Sequence, residues 1–129
     1  MSSIFTKIIN RELPGYIVAE DDQFIAFLDI QPLVKGHTLV VPKKEIDYIF
    51  DVDDQLLAEM IQFAKKVGLK IDRALPCKRV GLTVIGLEVP HAHIHLIPIN
   101  GVTDMNFEQK KLNLSEEEMK EIQNNILSA

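Results

Sequence analysis

The chain has 129 residues, 47% of them hydrophobic, which suits one compact domain with a core of useful size and leaves too little for two. A formal net charge of −5 and a pI near 5.3 exclude a general nucleic-acid binder, which needs a basic surface to neutralise phosphates. The single cysteine, Cys77, excludes an internal disulfide and every zinc site built on several cysteines, and reads as an incidental loop thiol.

The opening MSSIFTKIIN lacks the long apolar stretch of a leader peptide, and no apolar run reaches membrane-spanning length, so a cytoplasmic setting is expected. Ile4, Phe5, Ile8 and Ile9 share one helical face within residues 3–13, and Pro14-Gly15 stops that helix. Residues 17–20 and 23–29 predict two strands joined in a hairpin at Asp21-Asp22. Gln31-Pro32 and Lys35-Gly36 bracket a loop, and residues 37–41 predict a third strand. The Lys43-Lys44 and Lys65-Lys66 pairs are expected at the solvated surface. Leu57, Met60, Ile61, Ala64, Val67 and Ile71 predict one long helix capped by Asp51 or Asp53. It ends before Leu75-Pro76, because proline disfavours helical geometry in the residue ahead of it. Residues 79–85 and 91–97 predict two more strands. Ser115 and Glu118 spell a capping box, and Met119, Ile122 and Ile126 form one apolar stripe, so a short helical extension is expected from about residue 114. This order predicts an α+β fold over residues 1–129: about five strands in a mainly antiparallel sheet, one long helix and a short C-terminal helix.

Strand alternation sorts side chains onto two faces. Phe24, Ala26 and Leu28, then Val80, Leu82 and Val84, then Ala92, Ile94 and Leu96, form an expected core face toward the long helix. Ile25, Phe27 and Asp29, then Gly81, Thr83 and Ile85, then His91, His93, His95 and Ile97, fall on the other face. His37 shares its face with Leu39 and Val41. Three imidazoles in one strand stand in a row roughly 6.5–7 Å apart.

Three of the four histidines lie within five residues, and the fourth opens a strand. One chemistry that needs such a cluster is a zinc site, with two histidines at i, i+2 and a further ligand such as His37. The other is phosphate chemistry, in which neutral imidazole is a nucleophile near pH 7 and neighbouring rings donate hydrogen bonds to phosphate oxygens. The spacing leaves both open.

Residues 91–97, His-Ala-His-Ile-His-Leu-Ile, match the pattern His-x-His-x-His followed by two apolar residues. Together with Ile4-Phe5-Thr6-Lys7-Ile8-Ile9, Glu20-Asp21-Asp22, Ala26-Phe27-Leu28-Asp29-Ile30 and the block Gly36 to Lys44, in that order, the chain resembles the histidine-triad (HIT) family, on the side of its Hint-like branch. The resemblance covers about the first 100 residues and implies a HIT-like fold, a purine nucleotide substrate, a homodimer, and no cofactor or metal.

By that resemblance His93 is the nucleophile on the α-phosphorus and forms a nucleotidyl-histidine intermediate that water cleaves. His91 and His95 are expected to orient the phosphates and the nucleophile, with His37 beside them. Asp29 is expected to accept hydrogen bonds from ribose, its plain alternative being a turn-forming residue ahead of Gln31-Pro32. Ile4, Phe5, Ile8, Phe27 and Ile30 are expected to line the slot for the base, and the backbone near Glu88 and Val89 resembles the family's phosphate-binding turn. Two positions depart from the pattern. Thr83 stands where the family has Asn, and the loop after it is shortened, with Leu87 in place of Gln. Thr83 still donates one hydrogen bond; Leu87 offers no amide. Glu88, an acid beside the expected phosphate, either faces solvent or serves as a general acid. The activity implied is cleavage of nucleoside monophosphate conjugates, phosphoramidate or phosphoanhydride. The rival readings are a zinc-dependent hydrolase on the histidine cluster and a nucleotide sensor without turnover.

Overall fold

Asp21 Oδ1 accepts the backbone N–H groups of Gln23 and Phe24, each at 2.8 Å, and this turn folds β1 (Ile17–Glu20) back on β2 (Phe24–Leu28). The hairpin opens the sheet in the computed structural model, which describes residues 3–129. β3 (Thr38–Pro42), β4 (Arg79–Thr83) and β5 (Ile94–Ile99) complete it in the order β1-β2-β3-β5-β4, every neighbour antiparallel. Two short 3₁₀ turns, Ile49–Asp51 and Val102–Met105, were not anticipated from the sequence.

Helices cover both faces, as the alternation requires. α2 (Asp54–Ala74) begins at Asp53, whose side chain accepts the Leu56 N–H at 2.9 Å, and ends at Leu75 before Pro76. Its Met60, Ala64, Val67 and Ile71 pack with Phe24, Ala26, Leu28, Val40, Ile94 and Leu96. Phe63, outside the expected stripe, joins them, and α3 (Glu116–Leu127) adds Met119, Ile122 and Ile126 to the same core. Full burial of each large side chain contributes about 1.5–3 kcal/mol. The other face is smaller: Phe5 of α1 (Ile4–Ile9) covers Ile25, Phe27, Leu39 and Val41. Among the described residues no helix is long and apolar enough to cross a membrane.

Three expectations need correction. Leu82, expected in the core, is 46% exposed. β4 is an edge strand, and Ile61 and Leu69 of α2 beside it are also exposed, so the helix does not close over that edge. Lys43 is not simply solvated, since its ammonium lies 2.9 Å from the Glu20 carboxylate. Most important, β5 starts at Ile94, not at residue 91. Its register with β3 pairs Val40 with Ile94, which would next bring Pro42 opposite Ala92. Pro42 has no N–H to donate, so the ladder cannot continue there. Ala92 N–H turns to the Ile46 carbonyl at 2.6 Å instead. His91 and His93 therefore precede the strand, and only His95 stands in it.

Gly36 sets the entry of His37 into the site. Its φ of +93° suits glycine, and an added Cβ would stand 2.1 Å from Leu75 Cδ1 at the end of α2. Gly36→Ala is expected to lose about 1–3 kcal/mol of stability in urea unfolding. Gly101→Ala, where an added Cβ meets nothing within 4 Å, should change little. Equal midpoints for the two variants would contradict this account.

Candidate active site

The end of the β3–β5 ladder gathers four imidazoles, and their fixed partners assign the tautomers. Pro42 C=O can only accept, so His91 Nε2 carries a proton and donates to it at 2.7 Å. His91 Nδ1 then accepts from the Ser3 hydroxyl at 2.7 Å. Both of its ring nitrogens are thus engaged within the protein, and its side chain ties α1 to β3. The His91 carbonyl accepts from His93 Nδ1–H at 2.7 Å, which leaves His93 Nε2 with its lone pair. Leu33 N–H can only donate, so His37 Nδ1 accepts it at 3.1 Å, and His37 Nε2–H donates to His95 Nδ1 at 2.9 Å. His95 is left with a proton on Nε2. The rings of His93 and His95 are 4.7 Å apart, closer than the strand spacing implied, because His93 lies outside the strand. The arrangement presents a lone pair on one ring and an N–H donor on the next.

All four histidine side chains are buried. Burial holds His37 down to about 4 and His95 down to about 3, with Lys111 and His93 adding to the effect in both, and it lowers His91 as well. His37, His91 and His95 are therefore neutral at pH 7. Asp29 moves the other way: burial raises it, opposed by the Gln31 N–H that its Oδ1 accepts at 2.9 Å. One Asp29 oxygen thus serves the turn, while Oδ2 lies 3.7 Å from His37 Nε2. Oxygen and nitrogen atoms of Asp29, His37 and His95 lie within 4.8 Å of one another, the set that could hold a divalent ion. Such an ion would have to replace the proton shared by the two rings.

Beside the triad a cavity of about 260 Å³ is lined by Ile4, Phe5, Ile8, Phe27 and Ile30, with Asp29 at its rim. Leu13, Pro14, Gly15, Leu28 and Leu39, which were not expected in the slot, complete it. Phe5 meets Phe27 edge-on at 5.4 Å and His93 at 5.0 Å, so the slot abuts the His93 ring. Thr83 sits opposite His95 in the β4–β5 pairing. Val89 packs against the Phe5 cluster, and its carbonyl accepts the His91 N–H at 2.8 Å. Glu88 is exposed, and Leu87, 88% exposed, adds no polar group to the site.

Four further residues near the histidines carry no role in the sequence reading. Ser3 and Glu45 anchor α1: the Glu45 carboxylate accepts the Ser3 N–H at 2.6 Å and the Thr6 hydroxyl at 2.7 Å, which lowers its pKa. Ser3, three residues before Thr6, also accepts the Thr6 N–H as the N-cap, a signal the sequence did offer. Phe107 and Lys111 come from an irregular segment with no periodic signal. Phe107 nevertheless stands edge-on to His95 at 4.7 Å.

The buried neutral histidines predict how stability responds to acid. Unfolded, each titrates near 6.5; folded, His37 and His95 titrate at about 4 and about 3. Below pH 6.5 the unfolded chain binds protons that the folded chain refuses, so stability falls with pH, by up to about 1.4 kcal/mol per unit for each ring. Urea unfolding between pH 7 and 5 should show this slope, and His37→Gln should make it shallower. A flat profile would mean that the rings are not held neutral.

The HIT domain family matches residues 10–102. An uncharacterized HIT-like protein of Borreliella burgdorferi is 39% identical over 127 residues, 92% of this chain and 91% of that protein. Adenosine 5′-monophosphoramidase HNT1 of Saccharomyces cerevisiae is 37% identical over 97 residues, 74% of this chain and 61% of that enzyme. The crystal structure of a hypothetical histidine triad nucleotide-binding protein from Sulfolobus tokodaii superposes with a TM-score of 0.82 at 35% identity, covering 96% of this chain and 89% of the other. With the match over residues 10–102 and relatives of this identity and coverage, this chain belongs to the HIT domain family.

Proposed function

We propose that the protein is a nucleotide hydrolase or transferase that cleaves purine nucleoside monophosphate conjugates at the α-phosphate, with His93 as nucleophile. The observation that carries this reading is the His93 Nδ1–H bond to the His91 carbonyl, which leaves the Nε2 lone pair beside the His95 N–H donor. Nε2 attacks the α-phosphorus, the bond from phosphorus to the leaving group breaks, and the electron pair departs with that group. The ring then carries a positive charge, which the carbonyl at Nδ1 stabilises. Water next adds hydroxide to phosphorus, the P–N bond breaks, its pair returns to Nε2, and a proton leaves to solvent.

His95, at about 3, serves as a hydrogen-bond donor to phosphate rather than as an acid, with His37 holding its tautomer. A leaving group that departs as a stable anion suits this donor, since no proton has to be supplied. His91 positions His93 through its carbonyl and α1 through its ring. The apolar slot takes the base, Asp29 Oδ2 accepts from ribose, and Thr83 with the turn at Glu88 and Val89 faces the phosphate. The yeast relative, named a phosphoramidase, supports a nucleoside monophosphate conjugate as substrate; an amine leaving group would take its proton from solvent water. The open edge of β4, with exposed Leu82, Ile61 and Leu69, supports a homodimer.

Rapid quenching at neutral or alkaline pH, followed by mass spectrometry, should find a nucleotide adduct on His93. His93→Ala should lose adduct and turnover by several orders of magnitude while still binding nucleotide. An adduct on His91 or His95 would overturn the assignment.

The cluster of Asp29, His37 and His95 favours one second reading, a metal-dependent hydrolase. Turnover is expected to survive exhaustive chelation. Loss of activity in chelator, restored by zinc, would establish the metal reading in its place.

A further inference from the structure

One short helix serves both the apolar slot and the histidine cluster. On the slot side, Ile4, Phe5 and Ile8 of α1 line the cavity, together with Leu13 just past the helix. Ile4 is 48% exposed, Leu13 37%, and Ile30 of the same slot 68%, so this surface still has apolar area to bury. On the histidine side, Phe5 stands edge-on to His93 at 5.0 Å, and its ring centre lies 5.9 Å from that of His91. The Ser3 hydroxyl, at the N-cap of α1, donates to His91 Nδ1 at 2.7 Å. His91 in turn fixes His93 through its carbonyl. The seat of α1 therefore decides two things at once, the wall of the slot and the surroundings of His93.

A single side chain fastens that seat from the body of the protein. Glu45 follows β3, and its Oε1 accepts both the Ser3 N–H at 2.6 Å and the Thr6 hydroxyl at 2.7 Å. These two bonds dominate its titration and hold the carboxyl down to about 2. The same oxygen stands 4.0 Å from His91 Nδ1, beyond hydrogen-bond reach, so Glu45 acts on that ring through Ser3. Neither bond involves a group that lines the slot through its side chain, so the latch works with or without a base.

We propose that Glu45 is a positioning residue that seats α1 against His91 and His93 ahead of substrate binding, so that ordering the nucleophile does not draw on the base. This rests on the nucleotide reading above. A base packed on Ile4, Phe5 and Ile8 favours the same seat, because it buries apolar area that only the seated helix presents. Latch and base are thus partly interchangeable. Without the latch, contacts to the base must return Phe5 and Ser3 to the histidines, and the chemical step comes to depend on a remote part of the substrate.

The test compares substrate pairs that differ only in the base: adenosine 5′-phosphoramidate against 1-O-methylribose 5-phosphoramidate, and ADP against 1-O-methylribose 5-diphosphate. The two pairs cover both conjugate classes. Single-turnover rates at saturating protein read the chemical step apart from affinity. Glu45→Ala should slow the base-free member by about tenfold, on the scale of one lost hydrogen bond, and its partner by less, raising the ratio within the pair by about threefold or more. Glu45→Gln should keep the parent ratio, because one amide oxygen can accept both bonds. Thr6→Val removes one of the two bonds and should raise the ratio by a smaller factor; it carries the test if Glu45→Ala fails to fold. A carboxylate that served only the stability of the fold would slow both members alike. A ratio that neither Glu45→Ala nor Thr6→Val raises, or that Glu45→Gln raises as far, overturns the role of Glu45 and leaves the nucleotide reading standing. A parent that cleaves no member of either pair overturns both.

Discussion

The site depends on one missing hydrogen. Pro42 cannot donate to a ladder, so β3 stops pairing at the point where the chain ahead of β5 approaches it. The Pro42 carbonyl is still an acceptor, and the imidazole of His91 takes the place that a backbone donor would have held. That substitution turns the chain at residues 91–93 out of the sheet. It also brings the carbonyl of His91 under His93 and draws the two reactive-face rings closer than strand neighbours stand. Each later feature of the site, from the tautomer of His93 to the seating of α1 through Ser3, follows from this local end of the sheet.

Hydrogen bonds here fix proton positions rather than add much stability. A chain of partners that can each act in one sense only, from Leu33 N–H through His37 to His95, leaves a single tautomer at its far end. Burial then keeps these rings from taking a second proton, and the donor stays a donor over the neutral range. The same burial carries a cost: neutral imidazoles offer an anion direction without charge. The lysine whose charge acts on His37 and His95, Lys111, arrives late in the sequence, on a segment laid down only after β5 is complete.

Much of the fold was legible because it rests on periodicity. The alternation in β2, β3 and β5 sorted Phe24, Ala26 and Leu28 from Ile25 and Phe27 correctly, and the spacing from Met60 to Ile71 gave the buried side of α2. Leu82 misled because alternation assigns a face and says nothing about whether a helix reaches that far across an edge strand. The start of β5 misled for a related reason, since the pattern of residues 91–97 is as regular as a strand while the interruption sits in Pro42, 49 residues before His91. The residues expected in the slot were named through the family likeness and not through physics, for an apolar side chain in a pocket and one in a core look alike in sequence. Phe107 and Lys111 follow no period and resemble no motif, and only tertiary folding brings them to the histidines.

The shortness of α1 has a kinetic meaning. Six residues are too few to hold a helix in water by themselves, so one wall of the slot exists only while the ties at Ser3, Glu45 and Phe5 persist. Detaching that wall disturbs little of the main core, which lies on the opposite face of the sheet, and it belongs to the low-energy end of the protein's local openings. For a base held in the slot as proposed above, entry and exit would be coupled to the fraying of a turn and a half of helix at the edge of the molecule, separate from the imidazole frame behind it.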